Sequence, residues 1–394
     1  MNDSSASSPA SAPFRVAIVG AGPAGFFTAE ELLKAKRPVT VDLFERLPHP
    51  YGLVRYGVAP DHPHTRRVTA LMARTAANPA CTLRFGVEVG RDITIGQLRE
   101  QFDAVVIATG AEADRRLGIP GENLPGVHSS LAFAGWINGH PDFADEPFSF
   151  ETETAVIIGN GNVALDIVRL LAKDPAALRE TDIAPAALAK LARSSLRRIH
   201  VIGRRGPVQA AFGENEILEI GTLPGVNLRV DPVVAMPGAA DEAELADPAA
   251  DRARAVVKTL REYASRPSSP DARITVSFDF LRRPLGLSGN GRVEEITLEL
   301  ERLEGKPGGQ NAVPTGALQT LRCGLVISSI GHRGVPLPGL PFDEERGVIP
   351  ADGHRVAPGI YAVGWIKRGA RGLIGHNRRD AMETVKAIWA DHPN

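Results

Sequence analysis

Two glycine-rich segments have the residue types and spacing that a dinucleotide cofactor requires. The first, Gly20-Ala-Gly22-Pro-Ala24-Gly25, fits G-x-G-x-x-G and follows the apolar run 14–20. Its first glycine permits a tight turn, its second lets backbone amides approach a pyrophosphate at a helix N-terminus, and Gly25 allows close helix–strand packing. Glu45 closes the next apolar run, where a carboxylate can accept hydrogen bonds from ribose hydroxyls. The pattern predicts an FAD site; a plain strand–helix turn is the alternative.

The second segment, Gly159-Asn160-Gly161-Asn162-Val163-Ala164, repeats the pattern after another apolar run. Its second strand ends in Gly203-Arg204-Arg205-Gly206, where a ribose-binding acid otherwise stands. Guanidinium groups bind phosphate in a bidentate manner, whereas a carboxylate repels it. The arginine pair therefore favours the 2′-phosphate of NADP, and the alternative is a solvated pair on a loop.

The elements that position these motifs form two β-α-β openings, over 14–45 and 154–203. Further apolar strands end in glycine at 102–110, 324–331 and 359–364, and a final helix is expected near 377–390. Residues 273–281 and 293–300 alternate as strands do. We predict an α/β fold with two Rossmann-like dinucleotide-binding domains, the NADP domain inserted into the FAD domain. The expected boundaries are 1–13 for a disordered tail, 14–115 and 330–394 for the FAD domain, and 116–329 for the NADP domain.

Composition narrows the function further. The formal net charge is −1, so bulk electrostatics favour neither nucleic acid nor a membrane as a partner. Two cysteines, Cys81 and Cys323, lie far apart, which argues against a disulfide framework, a redox-active Cys-x-x-Cys pair or a bound cluster. No run is long enough to span a membrane, and no metal site is predicted. We expect a cytoplasmic protein.

Several longer segments resemble the adrenodoxin reductase-like family of ferredoxin–NADP reductases, from about Phe14 to the C-terminal helix. The most specific are Pro50-Tyr-Gly-Leu-Val-Arg-Tyr-Gly-Val-Ala-Pro-Asp-His62-Pro, Ile158-Gly-Asn-Gly-Asn-Val-Ala-Leu-Asp166, Gly203-Arg-Arg-Gly-Pro-Val-Gln-Ala-Ala-Phe212 and Val363-Gly-Trp365-Ile-Lys-Arg-Gly369.

The resemblance implies the remaining site residues. For FAD it adds Ala24, Leu53, Val87, Trp365, Gly372, Leu373 and Ile374, and for NADP it implies Asn160 to Val163, Arg204, Arg205, Glu216 and the backbone near Gly372. His62 and Glu219 are the polar residues expected near the nicotinamide. They are our catalytic candidates, although orienting a water molecule or the ring is an equal alternative, as is a structural histidine.

One departure from related flavoproteins concerns the last strand. Disulfide reductases usually end it with Gly-Asp, whose acid holds the FAD chain, whereas this chain has Gly364-Trp365, as the resembled family does. The family commonly has Pro-Thr before the next glycine motif, and this chain has Ala370-Arg371. The N-terminal amides of the final helix are expected to face the flavin, where partial positive charge stabilises its reduced form.

The implied reaction passes a hydride from NADPH to FAD and then single electrons to a ferredoxin-type iron-sulfur protein. Two alternatives stay open: an NADPH-dependent reductase of a small molecule such as a quinone, and a nucleotide sensor without catalysis. A transient, electrostatic complex with ferredoxin would need local basic surface. The candidates are the helix over 251–264, with Arg254, Lys258 and Arg261 on one face, and the cluster Lys367, Arg368, Arg371, Arg378 and Arg379.

Overall fold

The computed structural model describes residues 12–231 and 237–393. The predicted disordered tail therefore falls almost wholly outside the described residues. The chain forms two compact units. The first contains the described residues up to Val58, Pro63–Ala113 and the residues from His332 onward, and the second contains Ala59–His62 and Asp114–Gly331. In sequence, the second unit is inserted into the first.

The described residues form short strands and helices in alternation. The strands are β1 (Phe14–Val19), β2 (Val39–Glu45), β3 (Cys81–Phe85), β4 (Ala104–Ile107), β5 (Ala113–Asp114), β6 (Val127–Ser129), β7 (Thr154–Ile158), β8 (Arg198–Ile202), β9 (Val226–Val230), β10 (Ile274–Asp279), β11 (Arg282–Ser288), β12 (Glu295–Glu304), β13 (Asn311–Arg322), β14 (Leu325–Ser328), β15 (His332–Arg333), β16 (Arg355–Ala357) and β17 (Ile360–Ala362).

The α-helices lie mostly between strands. They are α1 (Pro23–Leu32), α2 (Leu53–Tyr56), α3 (Pro63–Arg66), α4 (Thr69–Ala76), α5 (Ile95–Gln101), α6 (Ser130–Ile137), α7 (Asn162–Ala172), α8 (Pro175–Leu178), α9 (Pro185–Leu191), α10 (Glu214–Gly221), α11 (Ala239–Leu245), α12 (Asp251–Ala264), α13 (Trp365–Arg368) and α14 (Ile374–Asp391). Two 3₁₀ turns cover Pro141–Phe143 and Pro248–Ala250.

The first unit is built on a six-stranded sheet in the order β16-β17-β4-β1-β2-β3. Its strands are parallel except for β16, which pairs antiparallel with β17. Side chains alternate between two buried faces: Val16 and Ile18 pack in an apolar cluster with α1 and α14, and Ala17 and Val19 pack in another with α5. Such burial on both faces is typical of parallel sheets covered by helices.

The second unit contains a fully parallel sheet in the order β6-β14-β7-β8-β10-β9. Ala155 and Ile157 of β7 face a cluster formed largely by helices. Val156 and Ile158 face a cluster that includes Leu287, Ile296 and Leu298 of the antiparallel sheet β11-β12-β13. The fold class predicted from the sequence is confirmed, with one addition: a small sheet, instead of a helix layer, covers this second face.

Both cysteines lie in apolar surroundings. Cys81 and Cys323 are free and buried. Burial raises the pKa of the Cys81 thiol to about 11 and that of Cys323 to about 12, so both thiols are protonated at neutral pH. In the described part of the chain, no helix has the length and apolar character that crossing a membrane requires.

We expect alanine at Gly25 to destabilise the first unit. A Cβ at this position would collide with the carbonyl oxygen of Gly20, which belongs to the turn between β1 and α1. The expected loss in free energy of unfolding is about 2 kcal/mol, measured by urea denaturation.

The matched control is Gly96→Ala in α5. A Cβ there would meet only the Oγ1 of Thr94, at 3.8 Å, among the described atoms beyond its neighbours. Alanine is favoured over glycine inside a helix, so stability should stay unchanged or rise slightly. An unchanged urea midpoint for Gly25→Ala would contradict the prediction, because it would mean that the turn between β1 and α1 can move to accept the methyl group.

Candidate functional site

The turn between β1 and α1 leaves backbone amides open at the first glycine motif. Gly20 has φ +107, and a Cβ on it would press against the backbone of Ala108. α1 begins at Pro23 with Gly22 as its N-cap and has no side-chain cap. Amides in the first turn of a helix lack intrahelical partners. These amides are free to donate hydrogen bonds, and the helix N-terminus carries a partial positive charge. The turn therefore suits a pyrophosphate.

A second loop of the first unit closes on this turn. A Cβ on Gly52 would lie 3.2 Å from the Cα of Gly22, and the Tyr51 amide donates to the carbonyl of Ala21 at 2.8 Å. Tyr51 has φ +88, a backbone conformation that costs about 1–3 kcal/mol for a residue other than glycine. Leu53, a predicted FAD residue, follows directly as the first residue of α2. Sequence reasoning missed Tyr51, because a strained φ leaves no mark on residue type.

The carboxylate of Glu45 lies beside the glycine turn, as expected of a ribose-binding acid. Its two oxygens accept hydrogen bonds from the amides of Ala21 and Leu47, both at 3.0 Å. Burial raises the pKa of Glu45, and these two amides act against that shift. A carboxylate has about four acceptor sites, so it keeps capacity for hydroxyl groups. The predicted Val87 is close by, with its amide bonded to the Glu45 carbonyl at 3.1 Å.

The last strand of this sheet brings Trp365 to the same turn. Gly364, with φ +81, precedes Trp365, and a Cβ on Gly364 would lie 2.7 Å from the Cβ of Ala24. The indole Nε1 of Trp365 is buried without a hydrogen-bond partner among the described residues. Gly372 and Leu373 lead into α14, and the side chain of Leu373 is 71% exposed.

The second glycine motif has the same construction in the second unit. Gly159 has φ +135, and a Cβ on it would collide with the carbonyl of Ser329. The Asn160 carbonyl accepts from the amides of Ala211 and Phe212 at 2.8 and 3.1 Å, whereas its side-chain Oδ1 is buried and unpartnered among the described residues. α7 begins at Asn162, and both Asn162 and Val163 are exposed. Gly161, its N-cap, is open: no described atom beyond its chain neighbours lies within 4 Å of a Cβ placed there.

Arg204 and Arg205 follow β8, and both residues are exposed. Neither side chain makes a hydrogen bond or ion pair with another residue that the structure describes. Glu216, the predicted acid of this site, lies half-buried in α10. An exposed pair of free cations at the end of the second strand suits a phosphate ligand.

The two predicted catalytic residues are brought together. The Nε2 of His62 lies 3.3 Å from the Oε2 of Glu219, and its Nδ1 lies 3.7 Å from the Oδ1 of Asp166. Both carboxylates also contact the Nη1 of Arg169, Asp166 at 2.6 Å and Glu219 at 3.0 Å. One guanidinium therefore fixes both acids that flank the histidine.

Arg169 is itself held by a buried carboxylate. Its Nε and Nη2 donate to both oxygens of Asp61 at 3.0 and 2.8 Å, and Lys173 contacts Asp61 at 2.7 Å. Burial raises the pKa of Asp61, but the two cations outweigh it and hold that pKa below its usual range. Burial raises the pKa of Asp166, against the opposing effect of Arg169. Arg169 and Asp61 are both buried, and each has charged partners, as buried ions require.

Sequence reasoning did not identify Asp61 or Arg169 as part of the site. The available signal was the charged pair Asp166 and Arg169 in the otherwise apolar run 163–172 of α7, since charges that become buried need partners. Which further carboxylate Arg169 would meet depends on tertiary structure.

Comparison with known proteins identifies relatives over nearly the whole chain. Residues 14–205 match the family described as pyridine nucleotide-disulphide oxidoreductase. The NADPH-ferredoxin reductase FprA of Mycobacterium tuberculosis is 43% identical over 384 residues, which cover 95% of this chain and 83% of that protein. The mitochondrial NADPH:adrenodoxin oxidoreductase of Homo sapiens is 42% identical over 96% of this chain and 78% of its own length.

Comparison with solved structures identifies the same relatives and a more distant fold. The structure of Mycobacterium tuberculosis FprA in complex with NADPH matches with a TM-score of 0.92 at 42% identity, covering 96% of this chain and 85% of that one. A thioredoxin reductase from T. acidophilum has a TM-score of 0.56 at 17% identity, over 97% of this chain and 99% of that one. The second likeness concerns the fold alone.

We expect Asp61→Asn to lower the free energy of unfolding by about 3 kcal/mol at pH 7, because Arg169 loses its buried bidentate partner. The depressed pKa of Asp61 contributes stability that is present above the pKa of the unfolded carboxyl, near 4, and is lost as pH falls through the lower folded value. The difference between variant and wild type should therefore shrink in acid. Urea unfolding at pH 7 and pH 3 measures both quantities.

Glu153→Gln is the control. Glu153 pairs with Arg198 at 2.8 Å, and both side chains are more than half exposed. Such surface pairs contribute about 0–1 kcal/mol. A loss for Asp61→Asn no larger than that for Glu153→Gln would contradict the role of the buried pair.

Proposed function

This chain belongs to the family of the NADPH-ferredoxin reductases and NADPH:adrenodoxin oxidoreductases, and we propose that it transfers electrons from NADPH through FAD to a ferredoxin-type iron-sulfur protein. It is an oxidoreductase with two nucleotide sites. The observation that carries the proposal is the exposed Arg204–Arg205 pair, which has no side-chain partner among the described residues, in a chain this similar to NADPH-dependent reductases.

The residues of the first unit fit FAD. Gly22 offers space, since a Cβ on it would meet only the Cα of Gly52, at 4.0 Å, among described atoms beyond its neighbours. The buried Nε1 of Trp365 supplies an unused donor, and Glu45 supplies acceptors beside the turn. We assign FAD to a domain formed by 14–115 and 330–394, held by Gly20, Gly22, Ala24, Gly25, Glu45, Leu53, Val87, Trp365, Gly372, Leu373 and Ile374.

The residues of the second unit fit NADP(H). The open Gly161 and the amides at the start of α7 suit its pyrophosphate, and the buried Oδ1 of Asn160 is an unused acceptor. We assign NADP(H) to a domain spanning 116–329, held by Asn160, Gly161, Asn162, Val163, Arg204, Arg205 and Glu216, with the Gly372 backbone as a further contact.

FAD, when bound, would supply the redox chemistry that connects a two-electron donor, NADPH, to a one-electron acceptor. The protein supplies position and electrostatics. His62 is held between Glu219 and Asp166, so the orientation of its ring is fixed. Arg169 keeps both acids in place.

We propose that the complex with ferredoxin is transient and electrostatic. The structure narrows the basic candidates, because most of them already have partners. In α12, Arg254 donates to the carbonyls of Leu245 and Asp247 and pairs with Asp251, and Arg261 pairs with Glu242.

In the second cluster, Lys367 and Arg368 pair with Asp380, Arg378 with Glu30 and Arg379 with Glu383. The side chains of Lys258 and Arg371 have no partner among the described residues. They remain the cations available to an acidic protein.

We further propose a cytoplasmic location. Both cysteines are free and buried, which fits a reducing compartment.

Replacing Arg204 and Arg205 with alanine should raise the KM for NADPH by one to two orders of magnitude. A charge-assisted hydrogen bond contributes about 1.5–3 kcal/mol, and the 2′-phosphate loses these donors. The KM for NADH should not change, since NADH lacks that phosphate. Anaerobic stopped-flow reduction of the FAD-loaded enzyme measures both.

Arg193→Ala is the matched control, an exposed arginine of the second unit without a described side-chain partner. It should leave both KM values unchanged. An equal effect of the Arg204/Arg205 variants on NADPH and NADH would refute the assignment of the phosphate site.

Raising ionic strength should slow ferredoxin-dependent reduction of cytochrome c, because salt screens attraction between exposed charges. Lys258→Glu should slow the same reaction severalfold at low salt. Direct reduction of ferricyanide, a small acceptor that needs no docking surface, is the control and should hardly change. Parallel loss of both activities would exclude Lys258 from docking, and no ferredoxin reduction by the wild type would refute the proposed function.

A further inference from the structure

The turn after the last strand of the first unit is held by a buried carboxylate from α14. The Gly364 amide donates to the Oδ2 of Asp380 at 2.5 Å. Gly364 has φ +81, a backbone conformation that residues with a side chain rarely adopt, and it packs directly against Ala24 of the first glycine motif. Asp380 therefore fixes the backbone immediately before Trp365.

The same carboxylate also forms ion pairs with two cationic side chains of α13. The Nζ of Lys367 lies 2.6 Å from its Oδ1, and the Nη1 of Arg368 lies 2.7 Å from its Oδ2. Arg368 continues to the next segment, donating to the carbonyl of Arg371 at 3.1 Å and to the Oδ1 of Asn377 at 2.7 Å. Through Arg368, Asp380 ties the turn at Gly364 to the loop that leads into α14.

A metal ion is the competing interpretation of this cluster. Ligand atoms of His354, Asp380 and Glu383 lie within 4.8 Å of one another, which is close enough to share an ion. However, the Lys367 ammonium already lies 2.9 Å from the Nδ1 of His354 and 2.6 Å from Asp380. Burial, together with Lys367, lowers the pKa of His354, so the histidine is a neutral acceptor for this ammonium. The cluster contains its own cation.

We propose that Asp380 is a positioning residue for FAD. Disulfide reductases place an acid directly after the last strand, and this chain has Trp365 there. Here the carboxylate comes from α14 and holds the backbone on both sides of α13: Gly364 before it and, through Arg368, the loop 369–372 after it. The inference rests on the proposed function, since it takes Trp365 and Gly372–Ile374 to contact FAD.

Loss of this carboxylate should act locally. The Gly364 amide would lose its buried acceptor, and Lys367 and Arg368 would lose a shared partner, which favours relaxation of the turn and the loop. The remainder of α14 packs on α1 and the sheet through Ala381, Val385 and Ile388, and these contacts do not depend on Asp380. Removal of the carboxylate should therefore weaken FAD binding clearly, while the melting temperature of the FAD-free protein should change little.

The test compares Asp380→Ala and Asp380→Asn with Asp391→Asn. Asp391 lies at the far end of the same helix, where it accepts hydrogen bonds from Arg355 and Tyr361 at 2.7 and 2.9 Å. Two quantities are measured on the full chain: the Kd of FAD, from flavin fluorescence on reconstitution, and the melting temperature with and without FAD. Ligand that binds only the folded state raises the melting temperature according to its affinity.

Asp380→Ala should weaken FAD binding at least tenfold and shrink the rise in melting temperature that FAD produces. Asp380→Asn keeps an oxygen acceptor for Gly364 but loses the charge, so its effect should be smaller. Asp391→Asn should lower the melting temperature with and without FAD equally and leave the Kd unchanged.

Equal lowering of both melting temperatures by Asp380→Ala, with an unchanged Kd, would overturn the positioning role. If that variant does not fold, Arg368→Gln decides the question. It keeps the bond between Asp380 and Gly364 but removes the guanidinium that reaches Arg371, so FAD binding should weaken severalfold, and unchanged binding would overturn the proposal. A wild type that binds FAD but does not reduce ferredoxin would contradict the proposed function and leave this inference intact.

Discussion

At the carboxyl end of each parallel sheet, the chain turns from strand to helix so closely that a side chain at the first motif glycine would collide with the backbone of a neighbouring segment. Gly20 lies against Ala108, and Gly159 lies against Ser329. The positive φ of both glycines follows from that confinement, and the turn delivers the start of a helix with its amides exposed. In the function that we propose, each of these two turns receives the pyrophosphate of one nucleotide.

Much of this arrangement could be predicted from the sequence, because it depends on local rules. Glycine spacing after an apolar strand identifies the turns, and the residue type at the end of the second strand distinguishes Glu45 from Arg204–Arg205. The strained Tyr51, the carboxylate that meets Arg169 and the reach of Asp380 back to Gly364 could not be predicted. Each of these depends on contacts between residues distant in sequence, whose partners only the folded chain determines.

The distribution of ion pairs separates arginines that the protein pairs internally from the two arginines that we propose to bind a phosphate. Arg169 contacts three carboxylates and Arg368 contacts one, and both hold backbone or side chains in place. Arg204 and Arg205 have no side-chain partner among the described residues. Sequence alone gives all four the same formal charge. An arginine that already pairs with a carboxylate attracts an anionic ligand only weakly. The arginines without a described partner are therefore the better candidates for binding a phosphate.

The chemistry of the two buried thiols has a practical consequence. Flavoproteins that meet oxygen generate peroxide, and peroxide attacks thiolates in preference to thiols. Cys81 and Cys323 are the chain's only cysteines and stay protonated at neutral pH, so neither presents a reactive thiolate to an oxidant. For the same reason, a cysteine engineered onto its surface would be the single position open to maleimide chemistry, and spin labels or dyes could be attached without first removing the native residues.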